Sequence, residues 1–359
     1  MKYNKSLIAI LSLVALFSSC KVDFSPNAPW RDVPSVYCVL DAQEDTVWAR
    51  VQRCYLGEDN LYSYAGIADS NNYPEGDIQV HLLAWLGQRG EQHSLTPTNR
   101  LVDRWELTYT LRSGKPEGSF SNGPQPVYYC VPGRKLLADT GCVFQLVVIR
   151  TSDGDTIAQA FTTMVGLLRP HIDGRDTTEK VLISPNDARG HEFGFRIGCR
   201  GEIKWYSLPR GRLYQPILTF YYKKKGDTLS VNIPGTPFKD VNNASTLASR
   251  TITQDRFLST IKNALSSNTD TLYNVNNVDI NIAVCNEDLN AYITSQDRTV
   301  VSGQDYHTYT NIQGGVGIFG SRRSHIIINV PCDSVGKEGY IPAQLKDLGV
   351  GFYGQFSEH

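Results

Sequence analysis

The chain has 359 residues, with 35 Lys plus Arg against 36 Asp plus Glu and a formal net charge of -1, a balance that argues against bulk nucleic-acid binding. Hydrophobic residues make up 41% and charged residues 20%, and 30 Gly and 17 Pro are spread without a period, which excludes collagen, coiled coil and wholesale disorder. Domains of ~100 to 200 residues are the usual size, so a chain of this length is expected to form two units, each with its own core.

At the N-terminus, Lys2 and Lys5 precede an apolar run from Leu7 to Phe17 broken only by Ser12. That run is too short to span a bilayer, which needs ~20 apolar residues. Charge, a short apolar stretch and then small residues make a removable secretory signal. The cut is expected before Cys20. Phe17-Ser18-Ser19-Cys20 resembles the bacterial lipobox, in which the cysteine thiol takes a diacylglycerol and the freed amine is acylated; Phe17 stands where Leu is usual. Each buried CH₂ contributes ~0.8 kcal/mol, so two or three acyl chains hold a protein durably where one does not. The expected organisation begins with a signal at 1–19, then the lipid attachment site Cys20 and a tether over 20–32 that carries Pro and Asn without periodicity. Asp23, just after Lys21 and Val22, resembles the acidic signal that sends some Bacteroidota lipoproteins to the cell surface.

Residues 36–40 and 46–56 read as a hairpin, the second arm alternating Val47, Ala49 and Val51 with Trp48, Arg50 and Gln52. Further strands are expected over 78–85, 105–111, 127–131 and 142–150. Asp153-Gly154 supplies a turn, because Gly accepts positive φ, and 156–163 returns. Spacing of this kind without a helical pattern favours an all-β sandwich over 33–166. The chain is then expected to pass near Leu167 into a second β unit over 167–359. Its strands are read at 193–197, 203–205, 214–223 and 228–233, with a turn at Gly226-Asp227. Trp205 followed by a Tyr-rich strand resembles the early strands of a fibronectin type III or immunoglobulin-like sandwich, an analogy about fold only. Short helical insertions are expected at 254–266, with Phe257, Leu258, Ile261 and Leu265 on one face and Thr253 as N-cap, and at 287–294, capped by Asn286. Strands at 279–285 and 324–330 complete the unit.

Of eight cysteines, the seven other than Cys20 are Cys38, Cys54, Cys130, Cys142, Cys199, Cys285 and Cys332, an odd number that leaves at least one unpaired. Export would let disulfides persist, and Cys38 with Cys54 or Cys130 with Cys142 lie across predicted hairpins. The 41–45 turn, however, sets Cys38 nearer Ala49. Buried unpaired thiols are therefore the favoured reading.

No catalytic or metal constellation emerges. The seven His residues are scattered, HExxH, CxxC and GxSxG are absent, and Gly314-Gly315-Val316-Gly317 lacks the Lys and Ser/Thr of a phosphate loop. Those glycines read as bends where the chain packs closely on a neighbour. Asp153, Asp155 and the 69–77 segment hold carboxylates without calcium-loop spacing, and read as solvated turns. Among 19 Tyr, Tyr62, Tyr64, Tyr73, Tyr306 and Tyr309 fall in predicted loops, where aromatics either bind partners or pack at domain edges. No cofactor is implied.

Three stretches, YCVLDAQEDTVWARV at 37–51, the 205–223 strands and YTNIQGGVGIFG at 309–320, together resemble a family of Bacteroidota outer-membrane lipoproteins of unknown function. The resemblance implies an exported, lipid-anchored, mostly β protein, associated with outer-membrane importers that take up nutrients or metals. It carries no catalytic residues. The expectation is a non-catalytic protein attached to the outer membrane through its lipid, which binds a ligand or partner as an accessory to a TonB-dependent importer. A structural or adhesive surface protein is the alternative, and an anchored hydrolase comes third.

Overall fold

The computed structural model describes residues 32–54, 67–91, 94–114, 123–134, 141–166, 171–172, 175–176, 182–183, 193–195, 201–240, 247–296, 309–331 and 340–355. The first half contains β1 (Pro34–Asp41), β2 (Val47–Arg53), α1 (Ala68–Asn71), β3 (Ile78–Arg89), β4 (Leu95–Glu106), β5 (Thr108–Arg112), β6 (Gln125–Cys130), β7 (Cys142–Arg150) and β8 (Thr156–Thr163). After it come the two-residue strands β9 (His171–Ile172), β10 (Arg175–Asp176) and β11 (Leu182–Ile183), then β12 (Glu202–Tyr206), β13 (Leu213–Lys224), β14 (Asp227–Pro234), β15 (Phe238–Lys239) and β16 (Leu247–Thr251). The chain ends with α2 (Gln254–Ala264), β17 (Leu272–Cys285), α3 (Glu287–Gln296), β18 (Val316–Pro331), α4 (Tyr340–Asp347) and β19 (Phe352–Gln355). The protein is mostly β, with several sheets and short helices.

A ten-stranded sheet runs β14-β13-β17-β18-β1-β2-β6-β5, with β15 on β13 and β19 on β17; a four-stranded sheet runs β4-β3-β7-β8 and a three-stranded one β11-β12-β16. Alternation explains the faces. In β1 and β2, Val36, Cys38, Leu40, Val47, Ala49 and Val51 point inward, and they meet Val80, Leu82, Phe144 and Leu146 from the four-stranded sheet in one apolar cluster. A second cluster combines Tyr214, Leu218 and Phe220 of β13 with Ile203 and Trp205 of β12 and with Phe257 and Ile261 of α2. The clusters change over within one step of the chain, since Met164 belongs to the first and Val165 to the second. The expected boundary at Leu167 lies outside the described residues.

Local signals hold where chemistry fixes them. The Thr253 hydroxyl accepts the Arg256 N–H at 3.3 Å, and Phe257 and Ile261 are buried on the face that the spacing indicates. Burying such side chains contributes ~1.5 to 3 kcal/mol each. Gly154 and Gly226 adopt φ of 75° and 93° in their turns. The hairpin register sets Cys38 opposite Ala49. Cys38, Cys54, Cys130, Cys142 and Cys285 take part in no disulfide, so neither candidate hairpin bridge forms.

Three readings need correction. Of the strand expected at 193–197, Phe193 is a single bridge position, Gly194 and Phe195 are not strand, and 196–197 lie outside the described residues. Residues 105–111 are not one strand: β4 pairs with β3, β5 pairs with β6, and the buried Leu107 between them donates its N–H to the Val80 carbonyl at 2.8 Å as the chain changes sheet. The final strand is also far longer than 324–330, because its glycine-bearing first half pairs in parallel with β1 from Ser35↔Val316 to Asp41↔Arg322. Gly317 has φ of 112°, and a Cβ there would overlap the Val36 carbonyl oxygen; one at Gly315 would lie 2.5 Å from the Pro34 oxygen. Close approach is thus what these glycines supply. Gly317→Ala is expected to lower unfolding free energy by about 3 kcal/mol, whereas Gly226→Ala, with open space at its Cβ, should cost about 1 kcal/mol. Urea titration of both variants checks this, and equal losses would refute the close-approach account.

Candidate functional site

Asp32 begins the described chain, and it is held in a cleft of about 400 Å³ lined by Arg53, Tyr73, Asp77, Ile78 and Arg150 among others. The Tyr73 hydroxyl donates to Asp32 Oδ1 at 2.6 Å, and Arg150 Nη2 donates to Asp32 Oδ2 at 3.2 Å. Arg150 also pairs with Asp153 at 2.9 Å, while Asp153 accepts the Asp155 N–H at 3.0 Å. Burial and then the bond to Asp32 push the Tyr73 phenol above its ordinary range. Backbone pairing supports the clamp, since Cys54 N–H donates to the Val33 carbonyl at 2.9 Å. The cleft therefore fixes the point at which the N-terminal segment joins the first core.

A second polar cluster lies where the cores meet. Asn286, the cap of α3, accepts the N–H groups of Leu289 at 3.2 Å and Ser321 at 3.1 Å, and donates to Thr162 Oγ1 at 2.7 Å. Asp288 accepts from the Tyr309 hydroxyl at 2.9 Å and from Thr162 at 3.2 Å. Burial raises its pKa, outweighing the opposing hydrogen bonds from Tyr309 and Thr162. The Tyr309 phenol is raised in turn by burial and by Asp288. Ser321 Oγ donates to the Thr163 carbonyl at 2.7 Å and accepts the Val165 N–H at 3.2 Å. These contacts tie α3, β8 and β18 to one another and hold Tyr309 and Val165 beside them.

Cys20, the predicted lipid attachment site, lies outside the described residues, as do Cys199, Cys332, Tyr62, Tyr64, Tyr306, His93, His191, His307 and His359. Of the predicted loop tyrosines, Tyr73 and Tyr309 are bonded to Asp32 and Asp288 instead of standing free. Burial pushes the thiols up, Cys130 to about 12 and Cys285 to about 11, which leaves them as thiols and poor nucleophiles. His81 is buried beside Arg104, which donates to its Nε2 at 3.4 Å; burial and then that guanidinium lower its pKa. Among the described residues no group of three or more His, Cys, Asp or Glu is placed to hold a metal, and no helix is long and apolar enough to cross a membrane. Sequence reasoning passed over Asp32 and Arg150, which are 118 positions apart and carry no local motif.

No protein-family model and no curated protein matches the chain. Among the solved structures that align with it are two with closely similar scores. "BspA_C_mut" has 8% identity over 71% of this chain and 94% of that one, with a TM-score of 0.13. The Streptococcus agalactiae AgI/II polypeptide BspA C terminal domain (WT) has 8% identity over 70% and 94%, with a TM-score of 0.14. Scores that low carry no structural inference.

The raised pKa of Asp288 gives a signed expectation. Its folded state favours the protonated acid, so its stabilising contribution is complete below the ordinary carboxylate value of about 4 and is lost as pH rises through the raised value. Asp288→Asn, which stays neutral, should gain stability relative to the wild type between about pH 4 and about pH 7. Urea unfolding at both pH values measures the difference; a constant difference would refute the assignment.

Proposed function

We propose that the chain is a lipid-anchored protein of the outer membrane, acylated at Cys20, that binds a ligand or partner without catalysing a reaction, as an accessory to a TonB-dependent importer. The observation that carries this reading is the clamp on Asp32. Residues 20–32 can reach about 40 Å when extended, and a tether is useful only if its far end is fixed to a folded body. Tyr73 and Arg150 provide that fixed end. The non-catalytic part is supported by the buried thiols with raised pKa values and by the commitment of Asp288 to a structural network. We also read the two apolar clusters, each lying between the ten-stranded sheet and a smaller one, as two immunoglobulin-like or fibronectin III-like units. Contact between Trp205 and Tyr214 across the second cluster, with ring centroids 6.0 Å apart, supports that reading.

Cys20→Ala is expected to abolish acyl labelling and release the protein from the membrane fraction; continued labelling of the variant would refute the lipobox assignment. Purification of the full lipidated chain from gently solubilised envelope, followed by mass spectrometry, tests the partner. A near-stoichiometric β-barrel importer is the expected companion, and recovery of the chain alone would favour a free-standing binder or adhesin.

A further inference from the structure

The outer face of the first unit holds a platform that the core does not use. Because Val36, Cys38, Val47 and Ala49 face inward, Tyr37, Trp48 and Arg50 stand on the opposite side of the ten-stranded sheet. Tyr37 lies directly opposite Arg50 on β2, and Trp48 directly opposite Tyr129 on β6. Tyr37 and Trp48 are 41% and 38% exposed, values that leave ring surface open to solvent. The rings form two pairs on this face. Tyr292 of α3 meets Tyr37 edge to face at 6.2 Å, and Trp48 meets Tyr129 at 5.2 Å with a 33° tilt.

Two guanidinium groups accompany these pairs. Arg112, on the edge strand β5, places its guanidinium carbon 4.3 Å from the centroid of the Trp48 ring. A cation stacked in this way keeps its N–H edge outward in its own plane, the edge that grips a carboxylate by two hydrogen bonds. Arg50 donates from Nη2 to Gln125 Oε1 at 3.2 Å, and its buried Nε has no hydrogen-bond partner. Neither arginine pairs with a carboxylate among the described residues. Partly exposed ring surface together with two arginines that pair with no carboxylate among the described residues defines the complement: a flat apolar face that carries an anion.

We propose that this face binds an acidic glycan, a chain of pyranose sugars that carry carboxylates. The C–H face of the sugars would lie against Tyr37 and the part of Trp48 left exposed beside Arg112, while carboxylates meet Arg112 and Arg50. Strands ~4.8 Å apart present these groups in steps across the sheet, an arrangement suited to a linear repeating ligand. A protein partner favours pockets that enclose its anchor side chains, whereas these side chains project from the face of a sheet. The platform shares no residue with the cleft at Asp32.

This inference rests on the reading of the chain as a binding protein, and its test is independent of anchoring. Calorimetric titration of the full chain with oligogalacturonate, oligoglucuronate and oligomannuronate is expected to show binding by at least one, weakened by added salt. The neutral oligosaccharide of the same backbone should bind more weakly. Trp48→Ala should weaken the uronate at least about tenfold, and Arg112→Gln should remove about tenfold of the preference for the acidic over the neutral chain. Both substitutions lie on the outer face, so unchanged melting temperatures would exclude misfolding, and Arg112→Gln alone suffices if Trp48→Ala unfolds. No uronate binding above the neutral control, binding untouched by both variants, or equal binding of polyglutamate would overturn the proposal. A protein that Cys20→Ala releases from the membrane, but that binds no uronate, would overturn the ligand class and leave the anchoring intact.

Discussion

The parallel pairing of β1 with β18 is the contact on which the remaining architecture depends. It joins residues 35–41 to residues 316–322 and thereby makes one sheet of strands drawn from both ends of the chain. Closing so long a loop costs entropy before any contact repays it, although the cost grows only slowly with length. The glycines make the contact sterically possible on both sides. Gly317 admits the Val36 carbonyl, while a Cβ at Gly320 would lie 2.9 Å from Leu289 on α3, so the same strand accepts a neighbouring strand and a covering helix.

Because the sheet is continuous, the passage of chain between the two cores must be held without strand partners of its own. Side chains satisfy it instead. Ser321 receives the Val165 N–H and donates to the Thr163 carbonyl, Arg210 Nε donates to the Met164 carbonyl at 2.9 Å, and Arg323 Nε donates to the Val165 carbonyl at 3.3 Å. Unpaired backbone groups at such a depth would each cost roughly 1 to 3 kcal/mol. Ser321 and Arg323 belong to β18, so the strand that closes the sheet also fixes the crossing. Asn286 extends the same network to α3, where its side-chain Oδ1 accepts the Leu289 N–H and the Ser321 N–H together.

Local order was legible in the sequence wherever short-range chemistry dictates it. The alternation in β2, the Asp153-Gly154 and Gly226-Asp227 turns and the caps Thr253 and Asn286 all follow from residues within a few positions of one another. Long-range order left weaker signs. Leu107 differs in no local way from a strand residue, yet it marks the change of sheet, because Val80 is there to accept its N–H. The first half of β18 lacked strand character since its glycines serve close approach, not side-chain packing. The start of β17 was equally hidden behind Asn274, Asn276 and Asn277, residues depleted in strands. In the cleft, Asp32, Tyr73 and Arg150 carry meaning only when assembled. The outer face was half visible, for Trp48 and Arg50 stood out as the polar side of an alternating strand, but Tyr129 and Arg112 joined them only through sheet register.

The clamp and the aromatic platform share β1 and β2, and that adjacency constrains how an anchored molecule would present its outer face. Tyr37 lies five positions beyond Asp32, about 17 Å along an extended strand. On the proposed anchoring, the platform would therefore be set back from the tether root by the length of one strand and from the membrane by whatever part of the tether is extended. A rigid offset of this kind separates two jobs that would otherwise compete for one surface. Asp32 accepts from Tyr73 and shares Arg150 with Asp153, so its carboxylate is committed to the clamp and not turned toward the cations. Neither Arg50 nor Arg112 pairs with a carboxylate among the described residues, which is the condition under which a flat, weakly enclosing face can select an anionic chain over a neutral one.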